Sequence, residues 1–165
     1  MNSTGKSFTT FIEVVQSPQV VFNAIKEVKK WWNNEDFEGK SAALNDEFII
    51  NHPGQHYSKQ KLIEVVTDKK IVWLVTDSIL YWLKNDKHEW TGTKMIFDIT
   101  TQAGKTVLHF THEGLVPDKE CYVLCEQGWS MIIKEWLFHF ITFGSPAGEL
   151  SKAAEIRNRL LEDNS

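Results

Sequence analysis

The spacing of apolar residues changes period twice along the chain. Residues 7–15, SFTTFIEVV, alternate, with Phe8, Thr10, Ile12 and Val14 set against Thr9, Phe11, Glu13 and Val15. That is the period of a strand with one covered face. In SPQVVFNAI the period becomes helical: Val21, Phe22 and Ile25 share a side. Ser17 suits the N-cap, and Pro18 suits the first helical position, where its missing N–H costs nothing. KEVKKWW carries a second short helical piece. From residue 37 to 112 the signals are those of strands: EFII, KLIEVV, KIVWLV, TKMIFDIT and KTVLHFTH, separated by the turns HPGQ, TDKK and QAGK. Gly104 can supply the positive φ that closes a hairpin in the last of these. After Pro117 the helical period returns. PDKECYVLCEQGWSMIIKEWLFHFITFG reads as one long helix from near Asp118, with residues 119–143 the longest helix of the chain.

Strand runs joined by tight turns predict an antiparallel sheet, because parallel strands would need crossovers. The fold class expected is therefore α+β, a curved antiparallel β-sheet gripping a long C-terminal α-helix. The helix at 118–144 is the only element large enough to cover the sheet's apolar face. Projected at 100° per residue, Trp129, Ile132, Ile133, Trp136, Phe140 and Phe143 form one stripe, with Leu137 and Ile141 on its flank. Lys134, Glu135 and Thr142 lie opposite. Met131 and Phe138 fall on that polar side, a small patch awaiting either the C-terminal tail or a second copy of the chain. Gly144, Ser145, Pro146 and Gly148 end the helix, so residues 1–146 read as one domain. Residues 147–165 read as a helix-prone tail carrying Leu150, Ala154 and Leu161.

Composition narrows the class. At 165 residues, 42% hydrophobic and 24% charged, the chain reads as a single globular domain. A net charge of −4 offers no field to gather nucleic acid. MNSTGKSFTTF lacks the basic and apolar regions of a signal peptide, and Cys121 and Cys125 are the two cysteines. Reduced thiols and a cytoplasmic location are expected. Residues 128–144 could span a bilayer on length, but Lys134, Glu135 and His139 sit at the middle. Charged groups there cost about 2.5–3.5 kcal/mol each, so no membrane insertion is expected.

Four marks, in this order, resemble the START-like helix-grip (SRPBCC) superfamily, and within it the branch named after the activator of the heat-shock-protein-ninety ATPase. They are SPQVVFNAI with the following KKWW; WTGTKMIFDI at 90–99; GKTVLHFTHEGLVP at 104–117; and the GW at 128–129 that opens the body of the last helix. The resemblance spans roughly residues 7 to 144. It implies a curved sheet around a long helix, with a cavity between them that often holds an apolar ligand. It carries no catalytic signature over to this chain, since the superfamily includes carriers, cyclases and co-chaperone domains.

On the strand 106–112, Leu108, Phe110 and His112 share a face. His112 would then reach the cavity mouth as a ligand's hydrogen-bond partner or a general base, or would bond a backbone carbonyl and hold the HEGL turn. His109, His112, Cys121 and Cys125 are suitable zinc ligands by type. Three positions apart on a strand, however, the two histidines face opposite ways, so neither metal nor other cofactor is expected. No G-x-S-x-G, H-E-x-x-H or phosphate-cradling glycine loop occurs. Seven tryptophans remain as a signal. Trp73, Phe97, Phe110, His112, Trp129, Ile133 and Trp136 are the expected ligand-binding set, lining the sheet–helix gap unless their rings fill it. Three readings stand: a small apolar or aromatic ligand bound in the gap, a co-chaperone-like surface for a chaperone or a second copy, and an enzyme using His112 as base.

Overall fold

In the computed structural model, which describes residues 6–32 and 36–144, the alternating stretches pair into one antiparallel sheet. Its strands are β1 (Phe8–Val14), β2 (Asp36–Gly39), β3 (Glu47–His52), β4 (His56–Val66), β5 (Lys70–Leu80), β6 (Lys94–Gln102) and β7 (Lys105–Glu113), in the order β1-β7-β6-β5-β4-β3-β2. The β4–β5 register shifts at Lys59/Gln60 and again at Leu62/Glu64. Such bulges bend a strand and curve the sheet around whatever covers it. Ala103 and Gly104, at φ 53° and 80°, close the β6–β7 hairpin, as the QAGK reading requires of Gly104. Strand β2 was not expected from the sequence. DFEG is too short to show alternation, and its pairing with β3 is what makes it a strand.

Helices α1 (Pro18–Ile25) and α2 (Val28–Trp31) follow β1. Ser17 Oγ accepts from Val20 N at 3.3 Å, and α1 buries Val21, Phe22, Ala24 and Ile25.

The last helix runs unbroken through α3 (Tyr122–Met131), a π-helical segment (Ile132–Leu137) and α4 (Phe138–Phe143). It begins at Tyr122 and not near Asp118, because residues 117–121 form turns. The wide turn is seen directly where Phe138 N donates to Ile133 O, five residues back. One extra residue in that turn rotates everything after it. Leu137, Phe140 and Ile141 become core, while Trp136 is only half-buried and Phe143 is 70% exposed. The stripe drawn at 100° per residue is thus corrected at Trp136, Leu137, Ile141 and Phe143, while Trp129, Ile132, Ile133 and Phe140 are buried as expected. Phe138 packs against the core and Met131 stands at 39% exposure, so the two do not form the polar-side patch expected. The proposed cover for that patch, residues 147–165, lies outside the described residues.

Rings fill the middle of the sheet–helix gap. Trp73 stacks on Trp31 at 6.1 Å and on Trp32 at 6.3 Å, and meets Phe48 edge-on at 4.9 Å. Phe97 lies 4.7 Å from Trp73 and 5.1 Å from Phe110, and Phe110 lies 4.4 Å from Trp129. Aromatic pairs of this kind contribute about 0.5–1.5 kcal/mol each beyond the area they bury. Among the described residues, no helix is long and apolar enough to cross a membrane.

Candidate ligand-binding site

Beyond this packed middle the sheet and helix part. A pocket of about 400 Å³ opens there, within the usual range for small-molecule sites. Three segments converge on it. The β3–β4 hairpin supplies His52, Gln55 and His56; the end of β5 and the loop after it supply Leu80, Trp82 and Trp90; the helix supplies Leu124, Cys125, Gly128, Trp129, Met131, Ile132 and Trp136. Trp32, just after α2, closes the inner side.

The loop 81–93 has no periodic structure, yet carboxylates hold it. Glu89 accepts Glu120 N at 3.0 Å and Cys121 N at 3.1 Å, capping the helix start from outside its own chain segment. Glu120 returns the arrangement, accepting Lys84 N at 3.0 Å and Asn85 N at 3.0 Å. These backbone donors hold the Glu120 carboxyl below the usual carboxylate range. The reciprocal clasp ties the loop that carries Trp82 and Trp90 to the start of the helix that carries Leu124, Cys125 and Gly128. It also explains why α3 needs no local capping side chain.

Indoles dominate the wall. Trp90 and Trp129 stack at 5.8 Å and 11°, and Trp32 meets Trp129 at 5.2 Å and 60°. The His56 ring stands edge-on to Trp90 at 4.8 Å, with Nε2 2.8 Å from Ser58 Oγ. Burial among these rings, with a smaller push from His52, lowers its pKa to about 4. Among the described residues, no Lys, Arg, Asp or Glu lines the pocket.

His112 lies behind this wall, not at its mouth. It is fully buried, and burial pushes its pKa down to about 3. Trp129 Nε1 donates to His112 Nδ1 at 2.9 Å. That leaves Nε2 to carry the proton and donate to Thr93 Oγ1 at 2.8 Å, while Thr93 Oγ1 donates to Trp90 O at 2.5 Å. Both ring nitrogens are thereby used, and the ring is neutral. A general base needs a free nitrogen and access to substrate, so that reading is corrected. The backbone-carbonyl reading is corrected too: it is the His112 carbonyl that closes the HEGL turn, accepting Leu115 N at 3.0 Å. Gly114 is required there, because at φ 102° a Cβ would stand 2.7 Å from Thr93 Cγ2.

Of the residues expected to bind ligand, Trp129 and Trp136 line the pocket. Trp73, Phe97, Phe110 and Ile133 lie in the sealed core at 0% exposure. The sequence reading missed Trp32, the HPGQH hairpin, Trp82 and Trp90. In the sequence HPGQ shows only a turn, and Trp90 only the start of a strand motif; the pairing of WW with a later EW is the available signal. His109 lies on the outer face beside Phe11, away from His112 and from the buried Cys121 and Cys125. A hydrogen bond with the neighbouring Cys125 thiol, and then burial, push the Cys121 thiol's pKa up. Among the described residues no cluster of three or more His, Cys, Asp or Glu could hold a metal.

The family model described as activator of Hsp90 ATPase homolog 1-like protein matches residues 16–137. No curated protein matches. Among solved structures, the Aha1 dimer from Colwellia psychrerythraea is similar at 20% identity and TM-score 0.66, covering 84% of this chain and 98% of its own. Protein MLL2253 from Mesorhizobium loti is similar at 15% identity and TM-score 0.63, covering 82% and 98% respectively. CalU16 from Micromonospora echinospora is similar at 12% identity and TM-score 0.59, covering 94% and 85%. Identities this low establish likeness of fold.

Proposed function

Because the chain belongs to the activator of Hsp90 ATPase homolog 1-like family and keeps an open pocket beside its helix, we propose that it is a small-molecule binding module for an apolar, aromatic ligand. One observation carries the reading: about 400 Å³ of open space bounded by the indoles of Trp32, Trp82, Trp90, Trp129 and Trp136. Flat apolar walls with few polar groups favour a planar apolar body. The reading assigns no catalysis, since His112 is sealed and both its nitrogens are engaged. The buried free thiols suit a cytoplasmic protein.

The competing reading is a surface function, with a chaperone or a second copy of the chain as partner. Its support is the exposed apolar rim at the mouth, where Leu124 is 58% and Trp82 40% exposed, together with the likeness to the Aha1 dimer from Colwellia psychrerythraea. Titration with 2-methylnaphthalene separates the two. Ligand binding gives saturable quenching of tryptophan emission, abolished in Gly128→Phe, whose ring would occupy the pocket. Quenching that is absent, or unchanged in a folded Gly128→Phe, refutes the pocket reading.

A further inference from the structure

One flank of the last helix carries an apolar row that the sheet does not cover. Leu124, Gly128, Met131, Trp136, His139 and Phe143 follow one another at steps of four, three, five, three and four residues. Steps of three and four hold one side of an α-helix. The step of five falls on the wide turn, where one extra residue is needed to stay in line. The pocket supports this alignment, since Leu124, Gly128, Met131 and Trp136 all line it. Beyond the pocket His139 and Phe143 continue the row, their rings 4.8 Å apart. Leu124, Met131 and Phe143 are exposed, and Trp136 is half-buried. No Lys, Arg, Asp or Glu stands in the row.

The chain itself supplies a segment that matches this flank. Gly144 ends the helix at φ 72°, its N–H donating to Phe140 O at 2.8 Å, and a left-handed residue there turns the chain away from the helix axis. Pro146 and Gly148 follow, residues that do not extend a helix. In ELSKAAEIRNRLLED, projected at 100° per residue, Leu150, Ala153, Ala154, Ile156, Leu160 and Leu161 fall on one side. Lys152, Glu155, Arg159 and Glu162 fall on the other. At a helical rise of about 1.5 Å per residue, Leu150 to Leu161 covers about 17 Å, and so does Phe143 to Met131. We propose that residues 149–162 return antiparallel along this flank as a helix, Leu150 beside Phe143 and Leu161 beside Met131, and roof the inner part of the pocket mouth. The same register sets Arg157 level with Glu135, which is opposite in charge. Leu124 lies beyond the reach of Leu161, so an entrance remains at the start of the helix. A tethered segment outcompetes a second copy of the chain here. Its short connection holds it at an effective concentration on the order of millimolar, whereas a second copy loses translational and rotational freedom on binding.

The contact needs no ligand, so its failure leaves the ligand reading standing, and a failure of ligand binding leaves the contact standing. To test it, Met131→Cys is combined in the full chain with Leu161→Cys, or with Arg159→Cys as a control on the polar side, and oxidised with diamide. The expected result is a disulfide within one chain for the Leu161→Cys pair, formed about tenfold faster than for the Arg159→Cys pair and located by peptide mass. Equal rates for the two pairs, or no disulfide, overturn the proposal. A disulfide between chains assigns the flank to a second copy and overturns it as well. In the otherwise native chain, Leu161→Asp should red-shift tryptophan emission as water reaches Trp136, and Arg159→Asp should leave it unchanged. An unshifted Leu161→Asp spectrum counts against the roof in the same way.

Discussion

Gly128 sits inside α3 and faces the pocket, which makes Gly128→Ala a direct probe of whether that space is open in solution. A helix-interior glycine costs about 0.5–1 kcal/mol relative to alanine, chiefly through the freedom the unfolded chain keeps. An added Cβ would meet nothing within 4 Å, and the residue's φ is not in the left-handed region, so no clash or strain offsets the gain. The substitution should therefore stabilise by about 0.5–1 kcal/mol, which for a chain of this length raises Tm by about 1–4 °C. Urea melts give ΔG and confirm an unchanged m value; calorimetry gives Tm. A loss of 1 kcal/mol or more would mean that the loop 81–93 or the hairpin collapses onto the helix at Gly128. The open pocket, and the ligand reading built on it, would then be wrong.

His112 predicts acid lability. Its native pKa lies below the ordinary histidine value, so its contribution is complete above about pH 6.5 and is lost as pH falls toward about 3. The fall should reach about 1.4 kcal/mol per pH unit from this residue, and His112→Asn should flatten it in pH-dependent urea melts. Trp129→Ala should cost about 3–5 kcal/mol, since the ring is 1% exposed and strands His112 when removed; Trp136→Ala, at a half-buried ring, should cost clearly less. Equal losses in denaturant melts would contradict the helix orientation. Ala103→Asn places a residue tolerant of left-handed φ before Gly104 and should stabilise by about 1 kcal/mol; a lower Tm would refute the turn assignment. Glu120 contributes through its lowered pKa, so the clasp is present above the ordinary carboxylate range and lost as pH falls through the native value. Tryptophan emission should report that acid transition in the wild type, and Glu120→Gln should remove it.

The architecture was legible because each strand announces itself locally, through alternation and through turns such as TDKK and QAGK. The helix was legible as a helix but not in its phase. A 100° projection presumes regular α geometry, and it sent Phe143 inward and Leu137 to the flank. The buried set Cys125, Trp129, Ile133, Leu137 and Ile141 steps by four throughout, a rhythm whose meaning needs the sheet beside it. The pocket was least legible, because two of its three sides come from a hairpin and a loop with no period. For His112 the face was right and the depth wrong: alternation assigns a side chain to a face, while the rings of Trp90 and Trp129 that cover it arrive from elsewhere in the chain.

The π-helical segment has a consequence for how this protein can change. Its phase against the sheet is set by the wide turn between Trp129 and Phe140, which holds one residue more than an α turn, and not by the identity of any one residue. Point substitutions at 132–137 alter packing but cannot move Leu137 or Ile141 off the sheet. Removing one residue there would let the turn close into ordinary α geometry with the C-terminal half of the helix still in phase with the sheet, because the wide turn holds one residue more than an α turn over the same rotation. A one-residue deletion is thus the length change this segment absorbs, whereas closing the turn with every residue kept would swing Leu137 and Ile141 round by about 100° and off the sheet.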